Sequence, residues 1–207
     1  MKQWHNALNR VTYGVRSDEL EQVQSLGWKA WVAEQLSPGE DPACEGQLLS
    51  LTYAMEHGKN DRVSSFSLER YWESSATLVD RVFNKDEPEE LELRRPAIET
   101  AIATWYRALH SRQQVREMLI EFWHNHFNAS ADADDEIALL FGVYDREVMR
   151  HHALGNFREF LEAVAQSTAM LYSLDNVWSK ASPANENYAR ELFELHTLGA
   201  MHYYNHL

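Results

Sequence analysis

The chain has 207 residues, 32 acidic and 19 basic side chains, and a formal net charge of -13. A hydrophobic content of 44% with 12% aromatics is too apolar for a disordered polymer, and the length suits one domain, 1–207, with a real core. The negative charge opposes phosphate-tracking nucleic-acid binding and adhesion to anionic membrane, and the single Cys44 excludes an internal disulfide or a cysteine-based metal cage.

No apolar run approaches the ~18 residues of a membrane span, so no membrane insertion is expected. The start, Met1 to Asn6, lacks the apolar stretch of a signal peptide. The chain as given reads as cytoplasmic, with export left to a signal upstream of Met1. Apolar residues recur every three to four positions between sparse Gly and Pro, which predicts an all-α fold, a helical array or irregular bundle with no sheet.

In chain order, Trp4, Leu8 and Val11 define a helix stopped by Gly14, and Ser17 is placed to cap a helix with Leu20, Val23 and Leu26 that ends at Gly27. Trp28, Trp31 and Val32 follow on a helix closed by Pro38-Gly39, and residues 37–46 read as a loop. A long helix is expected through Leu68, Tyr71, Trp72, Leu78, Val79 and Val82, ended by a solvated acidic linker, Asn84 to Glu90, with Pro88. Beyond Pro96, Ile98 to Leu109 predict another helix and Val115 to Phe122 the next; Asn128 to Asp135 is a loop. Helical spacing resumes from Ile137 to Val148 and from Phe157 to Val164. A last helix is expected from Asn185, as N-cap, to Gly199, as stop.

Three stretches carry unusual polar density: Phe122-Trp123-His124-Asn125-His126-Phe127, His151-His152-Ala153-Leu154-Gly155-Asn156-Phe157, and Asn185 through Gly199. Together with Ala169 to Asn176 and the opening Leu8-Asn9-Arg10-Val11-Thr12-Tyr13-Gly14, they resemble the bacterial family known as domain of unknown function 1800. The resemblance implies a mostly helical fold and no particular activity. It covers the first part of a longer family pattern that usually continues through a Tyr-Thr-x-x-Asp-Val stretch into further helices. The chain is therefore expected to lack a C-terminal region, leaving an apolar patch at Tyr188, Leu192, Leu195, Met201, Tyr203 and Tyr204. A homodimer or the missing region would cover it.

On a helical wheel His126 falls within the arc of Val115, Met118, Leu119 and Phe122, while His124 points the other way. The bland reading makes His124 solvated and His126 a hydrogen-bonded core residue. Glu121 and His124 form one Glu-x-x-His pair, but a di-iron bundle needs two. One of His151 and His152 belongs at the core edge. On the last helix Glu186, Asn187, Arg190, Glu191 and Glu194 share one face, which is either a ladder of i,i+4 pairs or a site.

The sharper reading is a metal-dependent enzyme, hydrolytic or oxidative, with Glu186, Arg190 and Glu191 as catalytic groups. His126, His152, Glu191 and Glu194 would then ligate a divalent transition metal through nitrogen and oxygen. The alternatives are a noncatalytic interaction module with buried polar networks and an incomplete protein. Asn128 to Leu139 has alternating oxygen ligands but lacks the Gly and Glu of an EF-hand loop.

Overall fold

The computed structural model describes residues 2–37, 39–57, 62–74, 76–78 and 90–203. The fold is predominantly helical. The chain forms two compact units: unit 1 is residues 1–69 with 101–122, and unit 2 is residues 70–100 with 123–207. Among the described residues no helix is long and apolar enough to cross a membrane.

Unit 1 holds α1 (Lys2–Leu8), α2 (Ser17–Leu26), α3 (Trp28–Gln35) and α4 (Pro42–Leu48). Leu8, Val23 and Trp31 are fully buried, with Trp4, Trp28 and Val115 packed against them. Trp28 stacks between Trp4 and Trp31, at centroid distances of 6.0 and 5.3 Å. Gly27, at φ 81°, permits the break between α2 and α3 that this stack requires. Ser17 proves to be the first helical residue, and Arg16 stands at the N-cap without a side-chain cap. Helix α4 begins inside the predicted loop 37–46. Asp41 caps it by accepting from the backbone N–H groups of Ala43 and Cys44, and Pro42 fits the first turn, where its missing N–H costs nothing.

The expectation of no sheet is corrected by one hairpin, β1 (Thr52–His57) paired antiparallel with β2 (Arg62–Ser67). Tyr53 lies opposite Phe66 with ring centroids 5.6 Å apart. Such aromatic cross-strand pairs, with Thr52 beside them, favour a strand over a helix.

The long helix expected through Leu68 to Val82 is also corrected. Helix α5 is only Glu69–Trp72, and Ser74 accepts the backbone N–H of Thr77 to start a separate turn at 76–78. Val79, Val82 and the acidic run from Asn84 lie outside the described residues until Glu90. Glu90 opens α6 (Glu90–His110), which begins before Pro96 instead of after it. Arg95 reaches back to Glu92 and forward to Glu99, both at 2.9 Å, supporting the turn in which Pro96 removes a backbone donor.

Helix α7 (Gln114–His126) follows. The turn between α6 and α7 leaves carbonyls that unit 1 satisfies with side chains. Gln114 donates to Ala108 and Ser111, Arg16 to Leu109 and Ser111, and Gln35 to Arg112.

Unit 2 continues with α8 (Asp135–Val143), capped by Asp134, and runs directly into a π-helix at Tyr144–Arg150. Then come α9 (Phe157–Gln166), α10 (Thr168–Ser173), a 3₁₀ turn at Asn176–Trp178, α11 (Glu186–Glu194) and α12 (Ala200–Tyr203). Asn185 accepts the Tyr188 N–H at 3.1 Å, as an N-cap does, and Gly199 turns the chain at φ 78°. Of the residues expected in a C-terminal patch, Leu195 and Met201 are exposed and Tyr188 and Leu192 half-buried. Tyr204 lies outside the described residues.

Candidate functional site

The densest polar arrangement in unit 2 gathers on Asp145, which is 1% exposed. Its Oδ2 accepts from the Tyr71 hydroxyl at 2.8 Å, its Oδ1 lies 2.9 Å from His124 Nε2, and Arg150 Nε stands 3.8 Å from Oδ2. Tyr71 is itself fully buried, and its backbone N–H donates to Glu99 at 2.8 Å. The Arg146 guanidinium lies 5.2 Å over the Tyr71 ring and donates to the Glu73 carbonyl.

The π-helix makes this arrangement. At 100° per residue an α-helix would set residues 145 and 150 about 140° apart around the axis, whereas the i,i+5 repeat of a π-helix stacks them on one face. Asp145 and Arg150 can then share a buried site. π-Segments of this kind are rare and concentrate at functional sites. Gly142, one turn earlier, leaves the room: a Cβ there would meet the Tyr71 carbonyl oxygen at 3.3 Å and Thr100 Oγ1 at 3.4 Å.

His124 is therefore not a solvated residue. Its side chain is 21% exposed, packed against Phe141 and Tyr144 and bonded to Asp145. The wheel failed because the buried face of α7 is polar: Gln114, Arg116, Glu117 and Ile120 are buried, while Phe122 is 54% exposed. His124 lies seven residues beyond Glu117, within about 20° of it around the helix. Glu121 does not pair with His124 and accepts instead from the Tyr13 hydroxyl at 2.6 Å.

The predicted ligand residues have the following surroundings. His126 is half-buried and packs on Phe127 at 4.6 Å and on His196 at 5.7 Å. His152 lies flat on Phe160 at 5.7 Å, and Phe160 in turn packs on Phe127. Burial holds the His152 imidazole below its ordinary pKa, helped by the neighbouring His151 and opposed by Glu159. Glu186 and Arg190 are exposed, Glu191 and Glu194 half-buried. Arg190 is bonded to Asn187 and to Glu191. Among the described residues no group of three or more His, Cys, Asp and Glu is placed to hold a metal ion.

Two groups escaped sequence reasoning. Asp145 carries no motif and is found only through the π-helical register. His196, on the side of its predicted helix away from the polar face, is buried at 8% exposure beside His126, with its pKa lowered by burial and by His126 and raised by Glu191.

A family model described as "Protein of unknown function (DUF1800)" matches residues 6–206. The match covers nearly the whole chain, so its restriction to an N-terminal part is not borne out. No curated protein and no solved structure matches the chain.

Proposed function

The chain belongs to the DUF1800 family of proteins of unknown function, and from that premise we propose that unit 2 carries the acid–base centre of a hydrolytic enzyme, with His124 as general base. The observation that carries this reading is the 2.9 Å contact between His124 Nε2 and the buried Asp145 carboxylate. Tyr71 and Arg150 stabilise Asp145 as the anion, since each presents a donor or a positive charge to Oδ2. An anionic Asp145 takes the Nε2 proton as a hydrogen bond, which leaves the lone pair on Nδ1. The imidazole is thus held in one orientation and one tautomer, ready to take a proton from a water or hydroxyl delivered to its Nδ1 edge. Asp145 also stabilises the imidazolium that forms, and it is a positioning residue.

A second reading is favoured by the number of buried ion pairs. Arg95 with Glu99 and Arg107 with Glu45 are as deeply placed as the Asp145 network, and polar networks of this kind fix helix packing without any chemistry. A panel of activated esters, beginning with p-nitrophenyl acetate, separates the two. The acid–base reading expects hydrolysis that falls ~10²–10⁴-fold in His124→Gln. If His124→Gln hydrolyses every ester as the parent does, while melting at a lower temperature, the network serves packing alone.

A further inference from the structure

We propose that His126 and His196 form a two-imidazole site for a divalent transition-metal ion, with zinc as the type case, whose remaining coordination positions are open to water or an anionic ligand. The proposal is independent of the acid–base reading, because His124 takes no part in it.

The first support is His196 itself. The residue is 92% buried by its 8% exposure, and its Nδ1 has no hydrogen-bond partner. A buried polar atom left unsatisfied is costly and uncommon, and one on a group that ligates metals asks for a ligand. The turn that carries His196 is fixed. Thr197 Oγ1 donates to the carbonyls of Leu192 and Phe193, and Leu198 N–H to Phe193, before Gly199 turns the chain away.

The second support is the geometry of the pair. The two ring centroids are 5.7 Å apart with planes inclined at 70°. Two imidazoles sharing one tetrahedral ion, at metal–nitrogen distances of about 2.0–2.1 Å, have centroids about 5 Å apart. The observed centroid separation exceeds that value by under about 1 Å. Phe127 touches both rings, at 4.6 and 5.1 Å, giving them a rigid apolar backing.

Chemistry selects the ion. Imidazole nitrogens suit zinc, nickel and copper, and two of them with no carboxylate cage do not suit magnesium or calcium. Two imidazoles leave the remaining coordination positions of a tetrahedral ion to water or an anionic ligand.

The test uses the full chain, freed of metal by a chelator, titrated with zinc alone by calorimetry and followed by thermal melting. The expected result is one zinc per chain at this site, with a rise in melting temperature, since a ligand of the native state stabilises it. His196→Ala and His126→Gln should each weaken binding at least tenfold and abolish the rise, and His152→Ala should change neither. No zinc uptake by the parent, or uptake unchanged in both variants, overturns the proposal. If His196→Ala does not fold, the titration of His126→Gln decides alone, and zinc lost in His152→Ala instead would place the ion on the other histidine pair and overturn this one.

Discussion

Both units bury arginines and carboxylates, and they use them differently. In unit 1 several buried or half-buried polar side chains finish backbone structure, and others form arginine–carboxylate pairs. Gln114, Arg16 and Gln35 end on the carbonyls of residues 108–112, and Arg107, 2% exposed, meets Glu45 through two bonds of 2.6 and 2.7 Å. In unit 2 Tyr71, His124 and Arg150 converge on one carboxylate, and His124 keeps a partly exposed ring. A polar group spent on a backbone carbonyl replaces a helix-end hydrogen bond and does no more. Several donors spent on one carboxylate set its charge and the orientation of whatever shares it. The second pattern is the one from which chemistry can be built.

The largest expected effect tests whether the unit 2 network is as demanding as its burial implies. Glu99 is fully buried, takes two bonds from Arg95, at 3.2 and 2.9 Å, and holds the Tyr71 N–H. Glu99→Ala leaves the Arg95 charge buried with one partner fewer and should cost about 3–5 kcal/mol in urea unfolding. A loss below about 1 kcal/mol would show that water reaches this network, and the contrast between the units would weaken.

A middle-sized effect belongs to unit 1. Gln114→Ala removes two donors from the α6–α7 turn and the acceptor of the Tyr13 N–H. It should cost about 1–3 kcal/mol, and ester hydrolysis per folded molecule should not change. A fall in hydrolysis at constant folding would join the two patterns that the comparison keeps apart.

The smallest effect is a difference of sign between two glutamates. In unit 1 burial holds Glu19 above 4.5, against the opposing Arg16. In unit 2 burial would also raise Glu92, but hydrogen bonds from Arg95 and Arg70 outweigh it and hold Glu92 below 4.5. For Glu19 the native state binds the proton more tightly than the unfolded state, so its contribution is present below pH 4.5 and lost as pH rises through the raised value. For Glu92 the unfolded state binds the proton more tightly, so its contribution is present above pH 4.5 and lost as pH falls toward the lowered value. Unfolding free energies measured from pH 3 to 7 should therefore rise less steeply with pH in Glu92→Gln than in the parent, and more steeply in Glu19→Gln. Equal slopes in all three proteins would erase the distinction.

Much of the fold was legible because helix ends write themselves locally. Asn185 opens α11 with a residue type whose capping chemistry is known, and Gly27 ended α2, although α11 closes at Glu194, short of the expected stop at Gly199. The hairpin escaped because a short run of Thr, Tyr and Ser in a helical context carries too little period to set against its neighbours. The site was less legible, for two physical reasons. A helical wheel assumes that the apolar arc is the buried one, and α7 buries Gln114, Arg116 and Glu117 while exposing Phe122. It also assumes 100° per residue, and the Tyr144–Arg150 segment does not keep it. Both errors act on the same result, since the first hid His124 and the second hid Asp145.

The division of the chain into units carries a consequence for synthesis. Unit 1 takes residues 1–69 and then waits for 101–122, so its tryptophan stack emerges from the ribosome well before Val115, which packs on it. At ~5–20 residues per second the delay between Trp31 and Val115 is about 4 to 17 s. For that interval Trp4, Trp28 and Trp31 form an apolar surface on the nascent chain, without one of the residues that later shields it, of the kind to which holding chaperones bind.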